Sequence, residues 1–150
     1  MSRVASAHGG PYLLRELEEL QLIDVNLRGQ GYSLPNGLDL AKLTSLKLID
    51  CIRMQSFLRG LEQLLLTKTP SPLTRLHVRF NVNKVWDGKR VHDVDVMSAV
   101  EDVLRSATGL KDIVVWSCNV SLLSRDCVIR HGSTLKRFVR ECRECAIFVR

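Results

Sequence analysis

The residues whose types and spacing could do chemistry lie near the C-terminus, where Cys127-x3-His131 is followed by Cys142-x2-Cys145. Thiolates and an imidazole are the soft donors that close a tetrahedral zinc site, and a helix would set Cys127 and His131 on one face. The same residues fit a second account, in which Cys127 faces a core, the intervening LKRFV lies in a strand, and the thiols are reduced and unrelated. That account is the stronger expectation, because a spacing match needs its structural context to count. No metal and no cofactor is therefore expected. Cys142 and Cys145 also lack the strand-to-helix setting of a redox dithiol.

His92 with Asp93 and Asp95 is the nearest approach to an acid/base cluster, yet carboxylates at the start of a helix are explained by capping alone. The chain carries no phosphate-binding glycine loop, nucleophile elbow or zinc-protease helix. A non-enzymatic role with no catalytic residue is expected. Asn119-Val120-Ser121 matches a glycosylation acceptor, and Thr69-Pro70-Ser71-Pro72 a proline-directed phosphorylation segment, but a chance match and a helix-stopping linker explain them.

The elements that must position any site are legible in the rest of the chain. Its 150 residues, 45% hydrophobic and 25% charged, suit one domain or one short array. Aromatic residues make up only 5%, which favours a core of stacked aliphatic side chains. The opening MSRVASAHGGPY holds no apolar stretch of secretory length, and no window approaches a membrane span, so an intracellular protein, cytoplasmic or nuclear, is expected. Five cysteines in such a chain read as reduced thiols. Of the net charge of +6, four units fall between Arg125 and Arg150, which holds seven Lys/Arg against three Asp/Glu. A basic nucleic-acid-binding or zinc-binding C-terminal module is thus the alternative function, although a solvated edge accounts for the charge more simply.

Internal periodicity is the dominant signal. Leu43, Leu46, Leu48 and Cys51 in LTSLKLIDC follow the spacing L-x-x-L-x-L-x-x-N/C, and the central L-x-L alternation puts two side chains on one face of a short strand. Leu73, Leu76, Val78 and Asn81 repeat it, as do Leu110, Ile113, Val115 and Cys118. A looser copy runs through Leu17, Leu20, Leu22 and Val25, with Asn26 one place late. The last opens at Leu135 and Phe138 but puts Arg140 where an apolar residue belongs. The copies start at 17, 43, 73, 110 and 135, giving spacings of 26, 30, 37 and 25 residues.

Between these strands the apolar period changes to that of helices. SFLRGLEQLLL, residues 56–66, carries Phe57, Leu58, Leu61, Leu64 and Leu65 as one stripe and ends before the prolines at 70 and 72. DVDVMSAVEDVLRSATG, residues 93–109, does the same with Val96, Val100, Val103 and Leu104, a cap at Asp95 and a stop at Gly109. SLLSRDCVIRHG, residues 121–132, is the third, with Leu122, Leu123, Cys127 and Val128. The expected fold is α/β: a leucine-rich-repeat solenoid of short parallel strands alternating with helices, about five irregular repeats over residues 13–150, after a disordered segment 1–12.

Such a fold lines a concave sheet with the residues between the core leucines. The candidate protein-binding positions are Lys47, Arg75, His77, Arg79, Asp112, Val114 and Trp116, with Thr44 and Ile49 beside them and Trp116 as the expected anchor. Cys51 and Cys118 are assigned to the core. The expected partner is a protein or peptide; a nucleic acid is disfavoured.

GLKDIVVW, an amphipathic stretch and then HGSTLKRFV resemble the repeats of fungal F-box-associated leucine-rich-repeat proteins, and SFLRGLEQLLL resembles the stretches between them. The resemblance spans residues 13 to 140. It implies substrate recognition in a cullin-type ubiquitin ligase, where an F-box grips the adaptor and the repeats grip the target. No L-P-x-E stretch with a helical bundle precedes the repeats here, so a ligase role would act through a missing or separate F-box.

Overall fold

The computed structural model describes residues 4–5, 17–27, 42–67, 72–81, 83–86, 89–92, 96–118 and 125–142. In chain order these form β1 (Val4–Ala5), β2 (Glu19–Ile23), β3 (Ser45–Ile49), α1 (Met54–Thr67), β4 (Arg75–Asn81), β5 (Asn83–Trp86), β6 (Lys89–His92), α2 (Val96–Ser106), β7 (Asp112–Cys118), α3 (Arg125–Ile129) and β8 (Arg137–Cys142). The fold is α/β. Six strands make one sheet in the order β1-β2-β3-β4-β7-β8, every neighbouring pair parallel. Parallel neighbours need a crossover, and α1, α2 and α3 lie in three of these. No described helix is long and apolar enough to cross a membrane.

The register puts like residues in rows across the sheet. Leu20, Leu46, Leu76, Ile113 and Phe138 form one row, and Leu22, Leu48, Val78 and Val115 lie in the next on the same face. All of these except Phe138 are buried in one core with the apolar stripes of the helices. In α1 the buried residues include Met54, Phe57, Leu58, Leu61 and Leu65, and in α2 Val96, Val100, Val103 and Leu104, both sets at helical spacing. Removing a fully buried leucine from such a ladder, as in Leu46→Ala, costs on the order of 3 kcal/mol.

Backbone hydrogen bonds at the strand entrances repeat from strand to strand. The amides of Thr44, Thr74, Lys111 and Lys136 donate to the carbonyls of Glu18, Thr44, Thr74 and Lys111, and the next amide in each case shares the same acceptor. Threonine reinforces this seam, since the hydroxyl of Thr44 donates to the Glu18 carbonyl at 3.0 Å and that of Thr74 to the Thr44 carbonyl at 3.3 Å. The Cys51 thiol donates to the Leu22 carbonyl at 3.3 Å, tying the far ends of β2 and β3.

The exits differ. Asp24 and Asp50, at equivalent places after β2 and β3, adopt left-handed backbone with φ of 56° and 53°. Aspartate tolerates this region better than most residues, so the chain turns away after five strand residues. Phe80 and Ser117 occupy that place in β4 and β7, and those strands run on to seven residues.

Several expectations change in detail. Val4–Ala5, inside the segment expected to be disordered, pairs with Glu19–Leu20. The first helix begins at Met54, two residues before the expected start at 56, and the third is described only over Arg125–Ile129. The antiparallel hairpin of β5 and β6 was not anticipated; it occupies the longest of the four spacings. Asp93, Asp95, Leu122, Leu123 and the segment 68–71 lie outside the described residues.

Candidate functional site

Because side chains alternate along a strand, burying one face of the sheet beneath the helices leaves the other open among the described residues. All seven candidate binding residues stand on that open face, in β3, β4 and β7. The register arranges them in three rows, with Arg75 beside Asp112, Lys47 beside His77 beside Val114, and Arg79 beside Trp116. Arg75 and Arg79 are exposed, and the other five are half-buried. Thr44 departs from its expected place: it precedes β3, and its hydroxyl is used in the seam with Glu18. Ile49 remains on the open face, half-buried beside Arg79.

Two adjoining recesses open on this face. One, of about 380 Å³, is lined by Lys47, Arg75, Leu76, His77, Asp112, Val114 and Arg137. The other, of about 340 Å³, is lined by His77, Arg79, Val114, Trp116, Arg137 and Val139. Both fall within the size of ordinary ligand clefts, roughly 300–1,000 Å³. Arg137 and Val139 line them although sequence reasoning did not single them out. The signal was the offset from the leucine: Arg137 follows Leu135 by the two places that separate Asp112 from Leu110, and the register pairs the two residues. The missing apolar residue at Arg140 drew attention away from it.

Charge on the face is unevenly matched. Four cationic side chains, Lys47, Arg75, Arg79 and Arg137, line the recesses against one carboxylate, Asp112. The Arg137 Nε donates to Asp112 Oδ1 at 2.8 Å, and the Arg79 Nε lies 3.4 Å from Asp50 Oδ1. Arg79 also stacks its guanidinium 4.4 Å from the centroid of the Trp116 ring. Lys47 and Arg75 have no ion pair among the described residues. His77 sits among these cations. Burial first, then Lys47 and Arg137, hold its imidazole below the ordinary value of 6.5, with Arg79 adding to and Asp112 opposing the shift. A neutral imidazole amid cations can donate and accept hydrogen bonds and gains charge if an anion arrives.

The zinc-spaced residues are placed otherwise. Cys127 is wholly buried in the core, where burial and then nearby Glu101 raise its thiol's pKa. The His131 Nε2 donates to the Leu104 carbonyl at 2.7 Å, which commits that nitrogen to holding the turn after α3 against the end of α2. Three residues on, the Thr134 hydroxyl donates to the Leu110 carbonyl at 2.9 Å. In HGSTLKR the histidine and the threonine thus both fasten the segment before β8 to the end of α2 and the segment that follows it. Cys142 lies in β8, and Cys145 lies outside the described residues; no cluster of three metal-binding side chains occurs among the described ones. His92 pairs with Asn83 in the hairpin.

No family model, curated protein or solved structure matches the chain.

Proposed function

We propose that the chain is a leucine-rich-repeat solenoid that works as a protein-interaction scaffold, binding a protein or peptide partner on the open face of its parallel sheet. What carries the reading is the clustering of Lys47, Arg75, His77, Arg79, Asp112, Val114 and Trp116 around two adjoining recesses on that face. The regular rows of Leu20, Leu46, Leu76 and Ile113 support the repeat architecture, because each coil buries its leucines only between its neighbours. The function is binding and not catalysis. The recesses combine fixed cations, an aromatic ring and aliphatic walls, which are the materials of recognition.

Substrate recognition in a cullin-type ubiquitin ligase is the finer form of this proposal and rests on the F-box-protein resemblance. In that arrangement the sheet holds the target and an F-box module in cis or in trans supplies the adaptor contact.

The test is quantitative affinity purification of tagged chain in three forms: unchanged, with Arg79→Glu and Trp116→Ala on the open face, and with Gln63→Glu and Leu66→Glu on the exposed side of α1. The reading expects the captured partner to be lost with the open-face variant and kept with the α1 variant. A partner set unaffected by the open-face changes contradicts it. The ligase form further expects a cullin and its adaptor in the unchanged sample; a partner recovered without them removes that form alone.

A further inference from the structure

We infer that the open face takes an extended acidic peptide segment in which an aspartate or glutamate side chain and an apolar side chain stand four residues apart. The inference rests on the binding role proposed above and specifies its partner.

Arg137 is paired with Asp112, and Arg79 with Asp50, so their charge is partly offset. Lys47 and Arg75 pair with no carboxylate among the described residues, and both line the larger recess. That recess therefore presents two unmatched cations, with the His77 imidazole beside them. An incoming carboxylate would be met by point charges from β3 and β4 and would itself favour protonation of His77.

The second recess has a different chemistry. Trp116, Val114 and Val139 give it apolar walls, and Arg79 lies over the indole ring. An aliphatic or aromatic side chain can be desolvated there.

Spacing joins the two. His77, Val114 and Arg137 line both recesses, so the recesses abut. Their distinguishing residues lie in successive rows along the strands: Arg75 and Asp112 in the first, Arg79 and Trp116 in the third, with Lys47, His77 and Val114 between. The first and third rows are four residues apart, about 13 Å, which is also the separation of side chains i and i+4 on one face of an extended peptide. A segment lying along the strand direction can thus place its carboxylate against Lys47 and Arg75 and its apolar side chain against Trp116.

A nucleic acid fits less well. Its phosphates would meet the carboxylates of Asp112 and Asp50 within the same cluster, and Arg79 already covers part of the Trp116 ring on which a base could stack.

The experiment pans a phage-displayed random dodecapeptide library against the whole chain and against its Lys47→Glu, Arg75→Glu variant, with circular dichroism confirming that both fold. The expected result is enrichment of Asp or Glu four positions from Leu, Ile, Val, Phe or Trp on the unchanged chain, and loss of the acidic preference on the variant. Synthetic versions of the selected peptides should bind at least tenfold more weakly to the variant, and at least tenfold more weakly to the unchanged chain when their acid is replaced by its amide. Trp116→Ala should erase the preference for the apolar residue and leave that for the acid.

Enrichment without an acidic excess, sensitive to Trp116→Ala, overturns this inference and leaves the binding role standing. Absence of any enriched peptide, or enrichment indifferent to every open-face substitution, overturns both. Tighter binding of a 20-nucleotide single-stranded DNA than of any selected peptide, lost on the charge-reversed variant, overturns the peptide in favour of a nucleic acid.

Discussion

Arg79 lies with its guanidinium carbon 4.4 Å from the centre of the Trp116 ring, one strand away in the parallel sheet. The pair joins β4 to β7 on the open face, and Asp50 on the other side of Arg79 extends the contact toward β3. A cation over an indole at a partly exposed site contributes roughly 0.5–1 kcal/mol, so its value to the fold is small. Its consequence is that the indole is held against Arg79 on the open face.

Trp116→Ala should therefore weaken partner binding by tenfold or more while lowering stability by only about 1 kcal/mol. Binding assays on the variant, set beside its thermal melt, check the split. A large drop in melting temperature together with unchanged affinity would make Trp116 a packing residue.

The helices are joined by a second charge contact, in which Arg59 of α1 donates to Asp102 of α2. The carboxylate holds the guanidinium's pKa above its ordinary value, chiefly through that hydrogen bond. Asp102 also accepts from Arg105 at 3.1 Å, so it is shared between two cations. With both side chains about a third exposed, solvent screening should limit the Arg59–Asp102 coupling to about 0.5–1 kcal/mol in a double-mutant cycle. Urea titration of the two single alanine variants and the double variant measures it.

His131 should matter more. It is 1% exposed, and its ring nitrogen satisfies the Leu104 carbonyl. His131→Ala leaves that carbonyl unpaired and a void beside Cys127 and the end of α2, at a cost of about 3 kcal/mol. Burial holds the imidazole of His131 below 6.5, as it does that of His77. The unfolded chain then binds more protons than the folded one as the solution is acidified. The stability these groups contribute is complete above the unfolded value and is lost as pH falls through the lower folded values. The melting temperature should decline from pH 7 to 5, and less steeply in His131→Gln, whose amide can still donate to Leu104. A flat profile in the unchanged chain would contradict the assignment.

The strand exits carry a further prediction. Asp50 sits at φ 53°, where a β-branched side chain clashes with its own backbone. Asp50→Val should cost about 1–2 kcal/mol and also release Arg79, whereas Asp50→Asn should be tolerated in stability. Denaturant melts of the two variants distinguish backbone strain from loss of the ion pair.

The strand positions were legible because their period is short and their outcome is forced. Once Leu46 and Leu48 face a core, Lys47 and Ile49 must face away, and the register then sets Lys47 beside His77 without further assumption. Thr44 was misplaced because it precedes the strand, where alternation does not yet hold and the hydroxyl has a carbonyl within reach. The β5–β6 hairpin was readable but unread: two residues, Asp87 and Gly88, separate the paired Trp86 and Lys89, and Asp-Gly is a strong two-residue hairpin turn.

What the sequence could not supply were the contacts between successive strand and helix units. That Arg137 would neutralise Asp112, and that His131 would spend its ring nitrogen on Leu104, depends on which turn lies over which. The Cys127 and His131 spacing looked like ligand chemistry because a sequence shows donors and not their acceptors. The last strand was undervalued for a similar reason. At the edge of the described sheet a strand has one neighbour, and Phe138, 40% exposed, is not sealed as Ile113 is.

The most direct test of the open face as the binding surface is site-specific photocrosslinking in the native cell, with benzoylphenylalanine placed either at Val114, between the two recesses, or at Gln63, exposed on α1. The account predicts a discrete adduct from Val114 that is lost when Lys47→Glu and Arg75→Glu are added, and none from Gln63. An adduct from Gln63 with none from Val114 would place the partner on the helical side and contradict the account.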